Sequence, residues 1–153
     1  MLRSWELLAC YCLILGTLGC PSPDFCQQIF DVKPGFPKAI KTNDPKVLQA
    51  ARLSAERFNN CTNDVFLFKE SRVESAMVQV VKGLKYMLGV LISRTTCKKT
   101  QRPHLDSCNF QTNKTLEQTL SCYSEVWTIP WLQKFQVTVL HCHQLAPGAP
   151  TTL

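Results

Sequence analysis

The chain has 153 residues, with 17 basic and 11 acidic side chains, a formal net charge of +6 and nine cysteines. This length accommodates one domain with its own hydrophobic core and leaves little room for a second. The basic residues are scattered, so the charge favours a solvated surface over a polyanion site, and we expect no nucleic-acid partner.

The first 19 residues are predicted to be a signal peptide. Arg3 gives a positive start, residues 7–18 form an apolar run, and small residues precede Cys20. A membrane anchor is the alternative, but it would need about 20 apolar residues. No later segment has a comparable run, so we expect a soluble, secreted protein without a membrane partner.

Secretion through an oxidising compartment decides how the cysteines are interpreted. Cleavage before Cys20 removes two of the nine cysteines and leaves seven, most of which should then form disulfides. The odd number predicts a leftover thiol or a bond to another molecule. Cleavage after Cys20 would leave six, and both cleavage sites remain open.

An irregular N-terminal segment and one helix come next. Residues 20–32 are predicted to be a mobile trunk, and Pro34, Gly35 and Pro37 extend the irregular pattern to about residue 43. Asp44 and Pro45 predict a helix start, because aspartate caps free amides and proline loses no needed donor there. Apolar residues then recur every three or four positions, and we expect the helix to end near Asn59.

The apolar period changes to two after residue 65, which predicts strands. Residues 66–81 and 84–92 form a first pair, joined by a tight hairpin at Lys82 and Gly83 because glycine tolerates positive φ. Residues 120–129 and 135–141 form a second pair, with a turn at Pro130 and Trp131 and with Phe135, Val137 and Val139 on one face. The plan is an α+β fold in which one helix covers an antiparallel sheet.

Two further segments are predicted to be irregular. Residues 98–118 are polar and without period, and such a long loop in a compact domain needs covalent staples. Residues 144–153 are predicted to be a disordered tail. Two glycosylation sequons begin at Asn60 and Asn113, both in predicted loops, and we expect a glycan on at least one of them.

Signatures of catalysis are missing from the sequence. There is no G-x-S-x-G, Walker or H-E-x-x-H motif, so we expect neither an enzyme nor a cofactor. His141, Cys142 and His143 have the chemistry of metal ligands. In an oxidised chain, however, Cys142 is better explained as a disulfide partner, so no metal site is predicted.

Several short motifs together resemble the cystatin family. "QVVKG" at residues 79–83 is similar to the Q-x-V-x-G hairpin of cystatins, and "SRTTC" at 93–97, "PW" at 130–131 and Gly35 occur in the family's order. The resemblance covers residues 33–143, the predicted cystatin domain. It implies one helix packed on a four- to five-strand antiparallel sheet. It also implies two local disulfides, Cys97–Cys108 and Cys122–Cys142.

The resemblance implies reversible inhibition of papain-like cysteine proteases such as the cathepsins. The inhibitor would fill the active-site cleft with three segments and offer no peptide bond to the nucleophile. Pro34 stands where secreted cystatins often have another hinge glycine, and it stiffens the trunk hinge. The implied protease-binding residues are Gly35, Gln79, Val80, Val81, Lys82, Gly83, Pro130 and Trp131.

A second inhibitory site is implied at Asn63. In some secreted cystatins, an asparagine in the loop after the helix is offered to legumain, a protease that cuts after asparagine. The segment "FNNCTND" at residues 58–64 aligns Asn63 with that position. A plain polar loop residue is the alternative, because a glycan on Asn60 and a bond at Cys61 would crowd the loop.

The resemblance leaves Cys26 and Cys61 unassigned, together with Cys20 if it is retained. Cys61 lies beyond the far end of a predicted helix about 22 Å long, which the trunk would reach only at nearly full stretch, about 30 Å. We therefore expect a homodimer in which Cys26 of one chain bonds Cys61 of the other and obstructs the inhibitory edge until reduction or clipping. An intramolecular bond or capping by small thiols is the alternative.

The competing function class is a cystatin-fold binding module that does not inhibit proteases, either cathelin-like or polyanion-binding. Such modules lack the combined hairpin and tryptophan pattern found in this sequence. The resemblance implies a secreted protein and leaves the endosome or lysosome open as a place of action.

Overall fold

The computed structural model describes residues 35–145. Predictions for the signal peptide, the trunk with Cys20 and Cys26, and residues 146–153 of the tail lie outside this range. The described chain contains one α-helix and five strands: β1 (Lys38–Ala39), α1 (Pro45–Cys61), β2 (Phe66–Val81), β3 (Gly83–Lys98), β4 (Thr119–Ile129) and β5 (Lys134–Gln144).

All five strands belong to one antiparallel sheet in the order β1-β2-β3-β4-β5. This arrangement confirms the predicted α+β class with one helix on an antiparallel sheet. β1 was not predicted from the sequence. It is only two residues long, pairing Lys38 with Val78 and Ala39 with Met77, and two residues are too few to show a period.

The helix begins as predicted and ends later than predicted. The Asp44 side chain accepts a hydrogen bond from the Lys46 amide at 2.8 Å, with proline at the first turn. α1 continues to Cys61, two residues past the predicted end near Asn59. Asn59 is buried, and its amide group both donates to and accepts from the backbone of Phe68, each at 2.8 Å.

The buried face of α1 carries mostly small side chains, which let the helix lie close to the sheet. The Ser54 hydroxyl lies 2.7 Å from the Ser124 hydroxyl of β4, so a helix residue and a sheet residue share a buried hydrogen bond. The fully buried aliphatic residues of the sheet lie on the same face. The core includes Val47, Ala50, Ala51 and Ala55 of the helix and Phe68, Leu88, Val90, Ile92 and Val126 of the sheet.

A bulge in β5 changes which of its side chains face the core. The register shifts between Glu125 and Val126, so one extra β5 residue lies between the partners of these two. Val137 packs against the core before the shift, and Leu140 and Cys142 do so after it. The predicted single alternation through Val139 is therefore wrong, because a bulge reverses the pleat.

The segment between β3 and β4 is less irregular than predicted. Strand β3 continues to Lys98, and two short 3-10 turns follow, Lys99–Gln101 and Leu105–Ser107. A single bridge pairs Thr95 with Phe110. The expected covalent crosslink of this segment is present as the disulfide between Cys97 and Cys108. A second disulfide joins Cys122 of β4 to Cys142 of β5. These are the two pairs that the resemblance implies.

The β2–β3 hairpin turns through a single residue, Lys82, because Gly83 adopts φ = +104°. This confirms the predicted tight hairpin. The bare Cα of Gly83 has a second role: a Cβ there would overlap the carbonyl oxygen of Thr128 in β4. The missing side chain therefore lets β4 approach the first hairpin closely.

We predict that Gly83→Ala lowers the free energy of unfolding by about 1–3 kcal/mol, because alanine disfavours this φ and its Cβ collides with Thr128. Gly35→Ala is the matched control, since Gly35 has a similar φ of +101° but open space around the Cβ position. Urea unfolding of both variants measures the difference. Equal losses of unfolding free energy in the two variants would show that the collision of the added Cβ with Thr128 costs no measurable stability.

Candidate functional site

Two hairpin turns lie side by side at one end of the sheet. Lys82 forms the tip of the first hairpin, and the turn Pro130–Leu132 joins β4 to β5 in the second. Leu84 of β3 pairs with Thr128 of β4, which sets the two turns next to each other. The sequence-predicted residues of both hairpins therefore meet at one edge.

The segment before β1 reaches the same edge. The Gln79 side chain donates a hydrogen bond of 2.7 Å to the Gly35 carbonyl oxygen. Pairing of β1 with β2 continues this contact along the strand. We call this end of the molecule the wedge edge and define it as Gly35, Phe36, residues 79–83 and residues 130–132.

A tryptophan that the sequence reading did not single out braces the first hairpin. The Trp127 indole N–H of β4 donates a hydrogen bond of 2.8 Å to the Lys82 carbonyl oxygen at the hairpin tip. Because this carbonyl has no partner in the one-residue turn itself, the indole fixes the orientation of the peptide group. In the sequence, the only indication of this contact is that a second tryptophan, Trp127, stands four residues before Trp131.

The wedge edge exposes large apolar side chains on all three segments. Exposed fractions are 69% for Phe36, 40% for Val81, 68% for Trp131 and 57% for Leu132. Contiguous exposed apolar surface on a soluble domain commonly marks a binding site. Phe36 and Leu132 were not among the predicted residues, although each is an apolar neighbour of one, Gly35 and Trp131.

A groove of about 500 Å³ separates the start of α1 from the second hairpin, and Leu84, Tyr86, Pro130 and Phe135 contribute to its walls. Burial raises the pKa of the Tyr86 phenol, and the Asp44 carboxylate raises it further. A phenol is already protonated at neutral pH, so Tyr86 adds no charge to this wall.

The predicted second site lies at the opposite end of the β2–β3 ladder. Asn63 is exposed in the loop between α1 and β2. In the ladder, Phe66 pairs with Lys98 near this loop, and Val81 pairs with Gly83 at the wedge edge. A strand of this length spans roughly 50 Å, so the structure does not bring Asn63 together with the wedge residues.

The remaining predicted positions are distributed around the Asn63 end and the surface. Cys61 is exposed and is the free cysteine among residues 35–145. It is the last residue of α1 and does not lie beyond the helix as predicted. Asn60 and Asn113 are both exposed, which leaves their side chains accessible for glycosylation.

His141 and His143 are exposed on β5, on either side of the disulfide-bonded Cys142. In the described part of the chain, no three acidic, histidine or cysteine side chains are grouped to hold a metal ion. Nor does any helix within residues 35–145 have the length and apolar character needed to cross a bilayer.

Comparisons with known proteins agree with this geometry. A model of the cystatin domain matches residues 35–131. Cystatin-F of Homo sapiens is 70% identical over 145 residues, covering 94% of this chain and 100% of that protein. Cystatin-F of Mus musculus is 64% identical over 138 residues, covering 89% of this chain and 96% of that protein.

The crystal structure of dimeric human cystatin F has a TM-score of 0.72 to this fold and 72% sequence identity, covering 76% of this chain and 92% of that one. Cystatins are inhibitors of cysteine proteases and are not enzymes, which confirms the predicted non-enzymatic role. With its hairpin motif, its two disulfides and its relatives all in agreement, the chain belongs to the cystatin family.

Proposed function

We propose that this chain reversibly inhibits papain-like cysteine proteases such as the cathepsins and that the wedge edge enters their active-site cleft. The observation that carries the proposal is the set of exposed apolar side chains Phe36, Val81, Trp131 and Leu132. Three separate segments contribute these side chains at a single edge. Such a shape suits a long cleft lined by substrate subsites.

Contacts between the three segments support the proposal because they preorganise the edge. Gln79 ties Gly35 to the first hairpin, and Trp127 ties the first hairpin to β4. Segments that are already held in place lose less conformational freedom on binding. We therefore assign Gln79 to positioning, since its amide N–H is engaged by Gly35, and assign contact with the protease to Val81, Lys82, Pro130 and Trp131.

The wedge would inhibit without being cut. Gly83 lets the hairpin backbone approach the protease without an intervening Cβ, and the exposed Trp131 indole provides a large apolar anchor. Neither hairpin offers an extended peptide bond to a nucleophile, because Lys82 lies in a one-residue turn and Pro130 in a 3-10 turn. Inhibition then depends on filling the cleft.

We also propose that the Asn63 loop inhibits legumain. Asn63 is exposed, and residues on both sides of it are hydrogen-bonded to the body of the domain. An exposed asparagine on a held loop is a suitable ligand for a protease that cuts after asparagine. The two inhibitory sites lie at opposite ends of the β2–β3 ladder, so they can act independently.

A latent disulfide-linked homodimer is the third part of the proposal. Cys97, Cys108, Cys122 and Cys142 are already paired, and Cys61 is exposed at the end of α1. A relative that is 72% identical has been crystallised as a dimer. We propose that Cys26 of one chain bonds Cys61 of the other and that reduction or clipping releases an active monomer.

The family is generally secreted or lysosomal. We propose that this chain is secreted, carries glycans on Asn60 and Asn113, and also acts in endosomes or lysosomes. Exposure of both asparagines supports their glycosylation. A lysosomal place of action would bring the inhibitor to the cathepsins it is proposed to block.

The alternative of a polyanion-binding module has less support in the structure. Several basic side chains are neutralised within the domain: Arg52 pairs with Glu70 and Asp106, Lys85 with Glu125, and Arg94 with Asp64. Polyanion binding would fall steeply with ionic strength, whereas insertion of an apolar wedge would not.

The first prediction from the proposed function concerns Trp131. Trp131→Ala should raise the inhibition constant for papain about thirtyfold or more, because a buried aromatic anchor is worth about 2 kcal/mol. Val65→Ala is the control, since Val65 is an exposed apolar residue, at 61%, near the other end of the sheet. Unchanged inhibition by the Trp131 variant would contradict the proposed wedge.

The second prediction concerns Asn63. Asn63→Ala should weaken legumain inhibition by about a hundredfold, because the protease requires asparagine at the residue it recognises. Papain inhibition by the same variant should equal that of the wild type. If legumain inhibition survives the substitution, this loop is not its binding site.

The third prediction concerns latency. On a non-reducing gel, the secreted wild type should migrate as a dimer and Cys61→Ser as a monomer. Papain titration should find the wild type inactive until mild reduction and alkylation, and Cys61→Ser active without reduction. A monomeric wild type, or full inhibition by the unreduced dimer, would contradict the proposal.

A further inference from the structure

The Asn63 loop is anchored on both sides by two basic residues that the sequence reading did not assign to any site. We infer that Arg94 and Lys99 are positioning residues that keep this loop an inhibitor of legumain and prevent it from becoming a substrate. The inference rests on the proposed legumain inhibition. It adds the physical reason why an exposed asparagine would resist cleavage.

The residue before Asn63 is held by the helix end and by Lys99. The Thr62 amide donates to the Phe58 carbonyl oxygen at 3.0 Å, which caps α1. The Thr62 carbonyl oxygen in turn accepts a hydrogen bond from the Lys99 ammonium group. Both polar groups of the Thr62 backbone therefore have partners in the body of the domain.

The residues after Asn63 are held by Arg94 and again by Lys99. One oxygen of the Asp64 carboxylate pairs with the Arg94 guanidinium, and the other accepts the Phe66 amide at 2.9 Å. The Lys99 amide donates to the Val65 carbonyl oxygen at 3.0 Å. Lys99 thus contacts the loop on both sides of Asn63, with its side chain before it and its backbone after it.

Arg94 is itself firmly held. Its guanidinium donates to the Leu116 carbonyl oxygen at 2.8 Å and to the Gln118 side chain, and it lies 5.4 Å from the centre of the Phe68 ring. The side chains of Arg94 and Asp64 are only 17% and 18% exposed. A charge pair this far removed from solvent is screened less than a surface pair.

These contacts determine what would follow a cut after Asn63. Hydrolysis breaks the bond between the Asn63 carbonyl carbon and the Asp64 nitrogen. Water supplies the hydroxyl to the carbon and a proton to the nitrogen, giving a carboxylic acid and an amine. The acid proton then moves to the amine, which leaves a carboxylate and an ammonium group. Because Thr62 and Asp64 remain attached to the same body, the new ends stay in contact, and the reverse reaction, which releases water, competes with separation.

In a loop without these contacts, nothing would hold the two new chain ends together after a cut. The new ends would move apart, the protease would release a cut product, and inhibition would be temporary. Arg94 and Lys99 act through Thr62 and Asp64 and do not themselves need to contact legumain. Their loss should therefore increase cleavage more than it weakens initial binding.

The test uses Lys99→Met and Arg94→Lys in the full mature chain. Lys98→Met is the matched control for the first, because Lys98 is the exposed neighbour in the chain, and Arg72→Lys, on the exposed surface of β2, is the control for the second. Each protein is incubated with a catalytic amount of legumain. Mass spectrometry measures the fraction cut after Asn63, and titrations give the inhibition constants for legumain and papain.

We expect Lys99→Met and Arg94→Lys to be cut after Asn63 about tenfold faster than their controls. Lys99→Met loses a charge-assisted hydrogen bond, and Arg94→Lys keeps the charge but loses the geometry of the guanidinium contacts. Papain inhibition should be unchanged, because the wedge edge lies at the other end of the β2–β3 ladder. Cutting no faster than in the controls would overturn the inference, provided that the wild type inhibits legumain.

Failure of the proposed legumain function gives a different result. In that case the wild type does not inhibit legumain, or Asn63→Ala inhibits equally well, and the inference falls with the function. If Arg94→Lys loses papain inhibition as well, the substitution has damaged the fold. The cleavage rate of Lys99→Met then decides the test, because this substitution removes an ammonium group and leaves the contacts of Arg94 intact.

Discussion

Close contact between α1 and the sheet is the constraint on which the rest of this structure depends. The helix face that meets the sheet carries alanines and Ser54, and the Ser54 hydroxyl reaches Ser124 directly. Asn59 then joins the end of the helix to the backbone of Phe68. With the helix fixed at the sheet along its length, the ends of the long strands project from a rigid body.

Both proposed inhibitory sites use those strand ends. At one end, Gly83 and Trp127 hold two hairpin turns together, and Gln79 adds the N-terminal segment. At the other, Arg94 and Lys99 hold the loop that presents Asn63. The chemistry differs, since one edge offers exposed apolar surface and the other a single exposed amide. In each case, hydrogen bonds behind the surface fix the groups in front of it.

Local chemistry predicted the parts of the fold that depend on one or two neighbouring residues. Asp44 as a helix cap and Gly83 as a turn residue are of this kind, whereas the motif residues at the wedge edge came from the resemblance to the cystatin family. Features that depend on distant residues were missed, because no short segment encodes them. Two examples are the two-residue β1 and the bulge in β5. The contacts that Trp127, Arg94 and Lys99 make with Lys82, Asp64 and Thr62 join residues 30 or more positions apart.

The Cys122–Cys142 disulfide has a consequence for durability among proteases. It closes a covalent ring of chain that includes the turn of the second hairpin, most of both its strands, and Trp131. A single nick inside this ring cannot release a fragment, and the β4–β5 ladder can keep the two halves paired. The Cys97–Cys108 bond gives the same protection to the segment that contains Lys99. A chain closed in this way stays one molecule after an occasional cut inside either ring.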